Sequence, residues 1–283
     1  MKNPQNRSFC LLIDNGSLAP ASTKNLRKIA GRLASRLGEE VTPVSLLHSD
    51  SISVEELDGY PARRLDSELS RIAAEGGRSF LLIPLFFGPS AALTDYLPAK
   101  LQKLKAQYPE IDIRVAPPLA GVENKSVPML AKILQDLIGQ CVLRYHLHAP
   151  GLIVVDHGSP VKAVTQVRDR IAEELSNRLK ESVIPASMER REGGAYAFNE
   201  PLLESALETF PEKKQCNHIV LAMLFLSPGR HAGQDGDIER ICQRAKAKNP
   251  DLKIFMTDLV SVHPGLIDLL QERYEEALLA KPF

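Results

Sequence analysis

The sequence predicts an α/β protein built from two tandem copies of one unit, each a four-stranded parallel sheet flanked by helices. Two observations predict it. The first is self-similarity: FCLLIDNGS at Phe9–Ser17 matches GLIVVDHGS at Gly151–Ser159, and Val41–Ser45 matches Val183–Ser187. Further on, Leu85–Pro89 matches Leu224–Pro228, and Pro109–Ile113 matches Pro250–Ile254. Matches that keep one order and a nearly constant spacing mark a duplication. The second is alternation. Short apolar runs alternate with helical patterns in each copy, and such βαβ crossovers produce a parallel sheet covered on both faces.

Each element has its own signal. Leu11–Ile13 and Leu152–Val155 are apolar runs that stop at a polar Gly-Ser turn, as buried strands entering loops do. Helical patterns follow over Thr23–Leu37 and Val164–Leu179, the latter with Val167, Ile171, Leu175 and Leu179 on one face. Second strands are expected at Val41–Leu47 and Val183–Met188, and third strands at Phe80–Phe86 and His218–Phe225. Fourth strands fall at Ile111–Val115 and Leu252–Met256, each before a closing helix. The first closing pattern runs out near Leu143–Pro150, so the copies are assigned to residues 1–145 and 149–283.

Bulk properties exclude several classes of function. Lys+Arg and Asp+Glu both number 35, so no global field draws in nucleic acid or anionic lipid. Trp is absent and aromatics are 5%, which argues against a stacking platform for single strands. No stretch approaches the ~20 apolar residues of a membrane span. The polar start, Met1–Ser8, does not read as a signal peptide. Cys10, Cys141, Cys216 and Cys242 are scattered without CxxC spacing, so a reducing, cytoplasmic setting is expected. Neither G-x-x-x-x-G-K-[ST] nor G-x-G-x-x-G occurs, so no nucleotide is expected.

Ligands of open parallel sheets gather at the carboxyl ends of the strands. In the second copy those ends read Asp156-His157-Gly158-Ser159-Pro160, Met188-Glu189-Arg190 and Phe225-Leu226-Ser227-Pro228-Gly229-Arg230-His231. Two histidines and a carboxylate therefore converge on one rim, with Gly158 and Gly229 permitting tight turns beside them. Imidazole binds divalent iron, cobalt, nickel and zinc, and it also exchanges protons near neutral pH. Such a set suits a reaction in which a metal enters as protons leave. In the first copy Asn15 stands for His157, Leu47 for Glu189 and Ala92 for His231. Joint loss over a retained apolar frame reads as one site kept and one surrendered. A structural zinc site fits less well, because it wants four ligands with Cys among them. Ser159 and Ser227 lie outside any G-x-S-x-G elbow. His146 and His148 read as incidental linker residues, His48 and His218 as structural, and His263 either lines the rim or starts the last helix.

V-D-H-G-S-P together with F-L-S-P-G-R-H, followed by Asp235, resembles the class II chelatases, and within them the sirohydrochlorin chelatases of siroheme and cobalamin biosynthesis. The resemblance covers nearly the whole chain and implies a two-lobed form with a degenerate N-terminal lobe. It differs from two-lobed bacterial members that keep the histidine pair in the N-terminal lobe. It also implies ATP-independent insertion of a divalent metal into sirohydrochlorin, with the metal as substrate: Co²⁺ or Fe²⁺, with Ni²⁺ a further candidate. His157 and His231 would deliver the metal and accept pyrrole protons, with Glu189 as their acidic partner. Ser159, Arg190, Arg191, Ser227, Gly229 and Arg230 are expected to meet the substrate, and Lys162 lies close by in sequence. Because the second lobe is covalent, a monomer is expected. Two rivals remain at this point: a metal or tetrapyrrole carrier without turnover, and a protoporphyrin ferrochelatase, for which an apolar lip is missing.

Overall fold

A computed structural model describes residues 8–120, 126–214 and 216–283. The first sheet contains β1 (Ser8–Asp14), β2 (Val41–Ser45), β3 (Ser79–Pro84) and β4 (Asp112–Val115), in the order β2-β1-β3-β4. The second contains β5 (Gly151–Asp156), β6 (Val183–Ser187), β7 (His218–Met223) and β8 (Lys253–Met256), in the matching order β6-β5-β7-β8. Every pairing within both sheets is parallel. The expected duplicated α/β architecture is therefore present. The central strands explain why it forms: Leu11–Ile13 and Ile153–Val155 are fully buried, as residues covered on both faces must be.

The crossovers are helices α1 (Pro20–Leu37), α2 (Leu65–Ala74) and α3 (Leu97–Gln107) in the first copy, which α4 (Val127–Arg144) closes. The second copy has α5 (Lys162–Leu179), α6 (Leu203–Lys214), α7 (Asp237–Lys248) and closing α8 (Gly265–Leu279). Pro20 opens α1, where a missing N–H costs nothing, and Gly38 ends it in the left-handed region at φ 70°. Helix α5 buries Val167, Ile171 and Leu175 of the expected face, while Leu179 at its end is half-buried.

The chain divides into two compact units that are not consecutive: Met1–Gly121 with Ile267–Phe283, and Val122–Leu266. Each closing helix thus belongs to the unit of the other copy. In the first unit Ala277 of α8 packs with Leu81 and Ala116, and Arg114 Nη1 donates to Leu278 O at 2.6 Å. In the second unit Cys141 of α4 lies against Met256 O, and Arg144 pairs with Asp258 at 3.1 Å. The two matched repeats, β1 to α4 and β5 to α8, thus do not coincide with the two packed units. No helix among the described residues is long and apolar enough to cross a membrane.

Candidate metal centre

The site is set by how β5 ends. The parallel ladder runs on past the strand: Met188 N–H donates to Asp156 O at 2.8 Å, and Glu189 N–H donates to His157 O at 3.2 Å. On the other side Leu224 N–H donates to Val155 O at 2.9 Å. These bonds fix His157 beside Glu189 on the carboxyl rim. The turn then needs Gly158. Its φ is +89°, and a Cβ there would lie 1.9 Å from Glu189 O. The first copy repeats the device at Gly16, φ +86°, where a Cβ would meet Leu47 O at 1.7 Å.

His157 Nε2 and His231 Nε2 stand 3.2 Å apart, with the rings nearly perpendicular at 72°. Both rings are anchored through the opposite nitrogen. His157 Nδ1 lies 3.0 Å from Gly158 O, and His231 Nδ1 lies 2.7 Å from Asp237 Oδ2. A carbonyl and a carboxylate only accept, so each Nδ1 carries a proton, and whenever a ring is neutral its Nε2 presents a lone pair to the other. Two nitrogens at this distance attract when one proton or one metal ion lies between them. Two nitrogens about 2.1 Å from one ion and roughly 100° apart at it would themselves stand about 3.2 Å apart. The separation therefore matches a pair of ligands on one face of a metal.

Glu189 Oε1 lies 3.4 Å from His157 Nε2, and its side chain is 60% exposed. That is close enough to exchange a proton with the ring directly or through one water. Among the described residues no group of three or more His, Cys, Asp or Glu side chains is disposed to hold a metal. The arrangement is two imidazoles with a nearby carboxylate.

Asp237, the first residue of α7, is held by His231 and two arginines. Besides His231 it meets Arg240 Nη1 at 3.1 Å and Arg230 Nε at 3.7 Å. The His231 hydrogen bond is the main cause that holds its carboxyl below the usual carboxylate range, with both arginines adding to it. Asp156 lies buried under the turn, where its Oδ1 accepts Gly158 N–H at 3.1 Å and Ser187 Oγ–H at 2.8 Å. Burial raises its pKa, and Arg168, Ser187 and the Gly158 N–H oppose that rise.

The structure brings His157, His231 and Glu189 together, as the sequence suggested. The other residues expected at the site are largely engaged in building it. Ser159 Oγ accepts Val161 N–H at 3.0 Å, and Ser17 Oγ does the same for Ala19 in the first copy. Arg190 pairs with Glu200 at 2.6 Å and donates to Arg191 O and Gly193 O. Arg191 lies 5.9 Å over the Tyr196 ring. Arg230 is 82% exposed beside the pair, Gly229 O accepts Gly233 N–H, and Ser227 is half-buried. His263 Nδ1 accepts Gly265 N–H at 3.0 Å, so it starts the last helix. Sequence reasoning named no carboxylate for His231 besides Glu189; the one on its Nδ1 is Asp237. Its only sequence signal is an acidic residue in the first turn of a helix that follows a glycine-rich segment.

Two parallel α/β units, one of them with paired imidazoles at its rim, define the class: a two-lobed, class II chelatase-like protein. The family model described as CbiX matches residues 10–137 and again 151–277, and the chain belongs to that family. Among solved structures, SirB from Bacillus subtilis with Fe3+ superposes with a TM-score of 0.72 at 14% identity, covering 96% of this chain and 95% of that one. SirB from Bacillus subtilis subspecies spizizenii in complex with cobalt gives 0.69 at 15% identity, with the same coverage. CbiX described as the terminal enzyme for siroheme biosynthesis in denitrifying bacteria gives 0.61 at 19% identity, over 96% and 99% of the chains. None of the curated proteins compared with the chain matches it.

Proposed function

We propose that the protein is a sirohydrochlorin metal chelatase that inserts Co²⁺ or Fe²⁺ without ATP, using the C-terminal copy's histidines. Membership of the CbiX family supports the reaction class. The observation that carries the residue assignment is the 3.2 Å separation of two Nε2 atoms whose Nδ1 partners leave both free to bind a cation.

The metal is the substrate. His157 and His231 take it from solution and present it to one face of the macrocycle. Insertion exchanges one divalent ion for two pyrrole protons. Those protons pass to the imidazoles as the metal leaves them, and Glu189, 3.4 Å from His157, relays them to water. Asp237 offsets the positive charge that His231 acquires in either state. Metal and proton compete for the same Nε2 atoms, so loading weakens in acid. Arg230 is the exposed cation best placed beside the pair to meet a substrate carboxylate. A single chain supplies both lobes, and we take the active form to be a monomer.

The test is the anaerobic visible spectrum of sirohydrochlorin with Co²⁺ or Fe²⁺, with and without protein. Conversion faster than the free reaction supports the chelatase and ranks the metals. Saturable binding without acceleration would make the protein a carrier.

A further inference from the structure

Beneath the His157 turn lies a buried polar pair that the first copy does without. Arg168 of α5 is 1% exposed, and Asn199, the last residue of the 3-10 segment Gly194–Asn199, is fully buried. Arg168 Nη1 donates to Ser187 Oγ and to Asn199 O, while Nε and Nη2 engage Asp169 Oδ1 at 2.9 and 2.7 Å. Asn199 grips the turn from both sides. Its Oδ1 accepts Ser159 N–H at 3.0 Å and Thr165 Oγ1–H at 3.0 Å, and its Nδ2 donates to Ser159 O at 2.9 Å. Ser187, held by Arg168, donates in turn to Asp156, which accepts the Gly158 N–H. Asp156, Gly158 and Ser159, the residues around His157, are all tied to this pair.

The first copy keeps the surroundings: Asp14, Gly16, Thr23 and Ser45 stand where the second has Asp156, Gly158, Thr165 and Ser187. At the two positions in question it has Leu26 and Leu57, buried at 2% and 0% exposure, and the neighbouring Arg27 donates its Nη1 to Leu57 O at 3.0 Å without reaching the turn. Where His157 stands it has Asn15. The fold therefore accepts an apolar pair at this place. A buried guanidinium is costly to desolvate, and hydrophobic residues often replace such groups without loss of stability. Arg168 also offsets the burial of Asp156, but the first copy keeps its buried Asp14 without that help, so the fold does not depend on the pair.

We propose that Arg168 and Asn199 are positioning residues, which clamp the 156–159 turn so that His157 Nε2 faces His231 Nε2. The proposal rests on the reading that these two histidines take up the metal.

The test gives the full-length protein the first copy's solution, Arg168→Leu with Asn199→Leu, beside a His157→Ala reference. Melting temperature, anaerobic Co²⁺ titration followed by visible absorption, and ring-to-ring contacts in NMR spectra of the imidazoles are compared. The double variant should melt within about 5 °C of the parent. It should bind Co²⁺ at least about tenfold more weakly, as loss of ligand support does, and lose the contact between the two imidazoles. Melting more than about 10 °C lower would show that the fold does need the pair, and would overturn the proposal. Unchanged Co²⁺ affinity in the double variant, where His157→Ala weakens it, would overturn it as well. If His157→Ala itself left Co²⁺ binding unchanged, the metal reading would fail. The imidazole contacts would then still decide whether the pair positions the ring.

Discussion

His231 Nδ1 and Asp237 Oδ2 lie 2.7 Å apart, and this contact decides which nitrogen of His231 faces His157. A carboxylate behind a ligand imidazole fixes its tautomer and raises its basicity, and loss of such a partner costs about 10–100-fold in metal affinity or activity. Asp237→Asn should therefore lower both Co²⁺ affinity and turnover into that range. Circular dichroism should be unchanged, since the side chain lies at the surface end of α7. Titration of the purified variant beside the parent measures it.

Glu189 is assigned to proton transfer rather than to holding the metal. Glu189→Gln should then reduce the rate of metal insertion by about 10²–10⁴, the usual weight of a general base. Co²⁺ affinity should move by no more than a few fold. Equal losses in binding and turnover would instead make Glu189 a ligand.

Gly158 and Gly16 test the turn in the two copies separately. An alanine Cβ would meet a backbone oxygen at 1.9 Å in one and 1.7 Å in the other, at positive φ in both. Each substitution should lower stability by roughly 2 kcal/mol or more. Only Gly158→Ala should also abolish Co²⁺ binding measured well below the melting temperature.

The first copy's Asp14 has lost any equivalent of Arg168. Desolvation raises its pKa from the ordinary 3.8 to about 6, against hydrogen bonds from Ser45 and Gly16. Between those values the native state binds more protons than the unfolded one, so this group's contribution falls as pH rises through the window. Asp14→Asn should stabilise the protein by about 1–3 kcal/mol at pH 8. The gain should vanish only at about pH 2.5, well below 3.8, where Asp14 is protonated in both states. Thermal melts at the two pH values check it.

Much of the fold was legible because the duplication supplied each strand twice. Apolar runs such as Leu152–Val155 end at a polar turn, and the first strands outrun them (Ser8–Asp14, Gly151–Asp156). The second and third strands stop short, β3 at Pro84 and β7 at Met223, because the chain leaves the ladder for the rim loops. The histidines were legible because they stand at strand ends, where the sheet itself brings them together. Asp237 was not. It reaches His231 across Gly233 and Gly236 and through Asp235, which has a φ of 55°, so no periodicity links the two. Arg168 reads in sequence as a charged helix residue and turns inward only because Ser187, Asn199 and Asp169 receive it. The exchange of α4 and α8 between units was hidden for a similar reason. A helix's apolar face says that it packs, but not on which sheet.

The most direct test of the central claim is the initial rate of Co²⁺ insertion into sirohydrochlorin, followed anaerobically by visible absorption, for the parent, His157→Ala and His231→Ala. The account predicts insertion well above the uncatalysed rate for the parent, and a loss of at least about a hundredfold in each variant. Insertion by either variant at the parent's rate would contradict it.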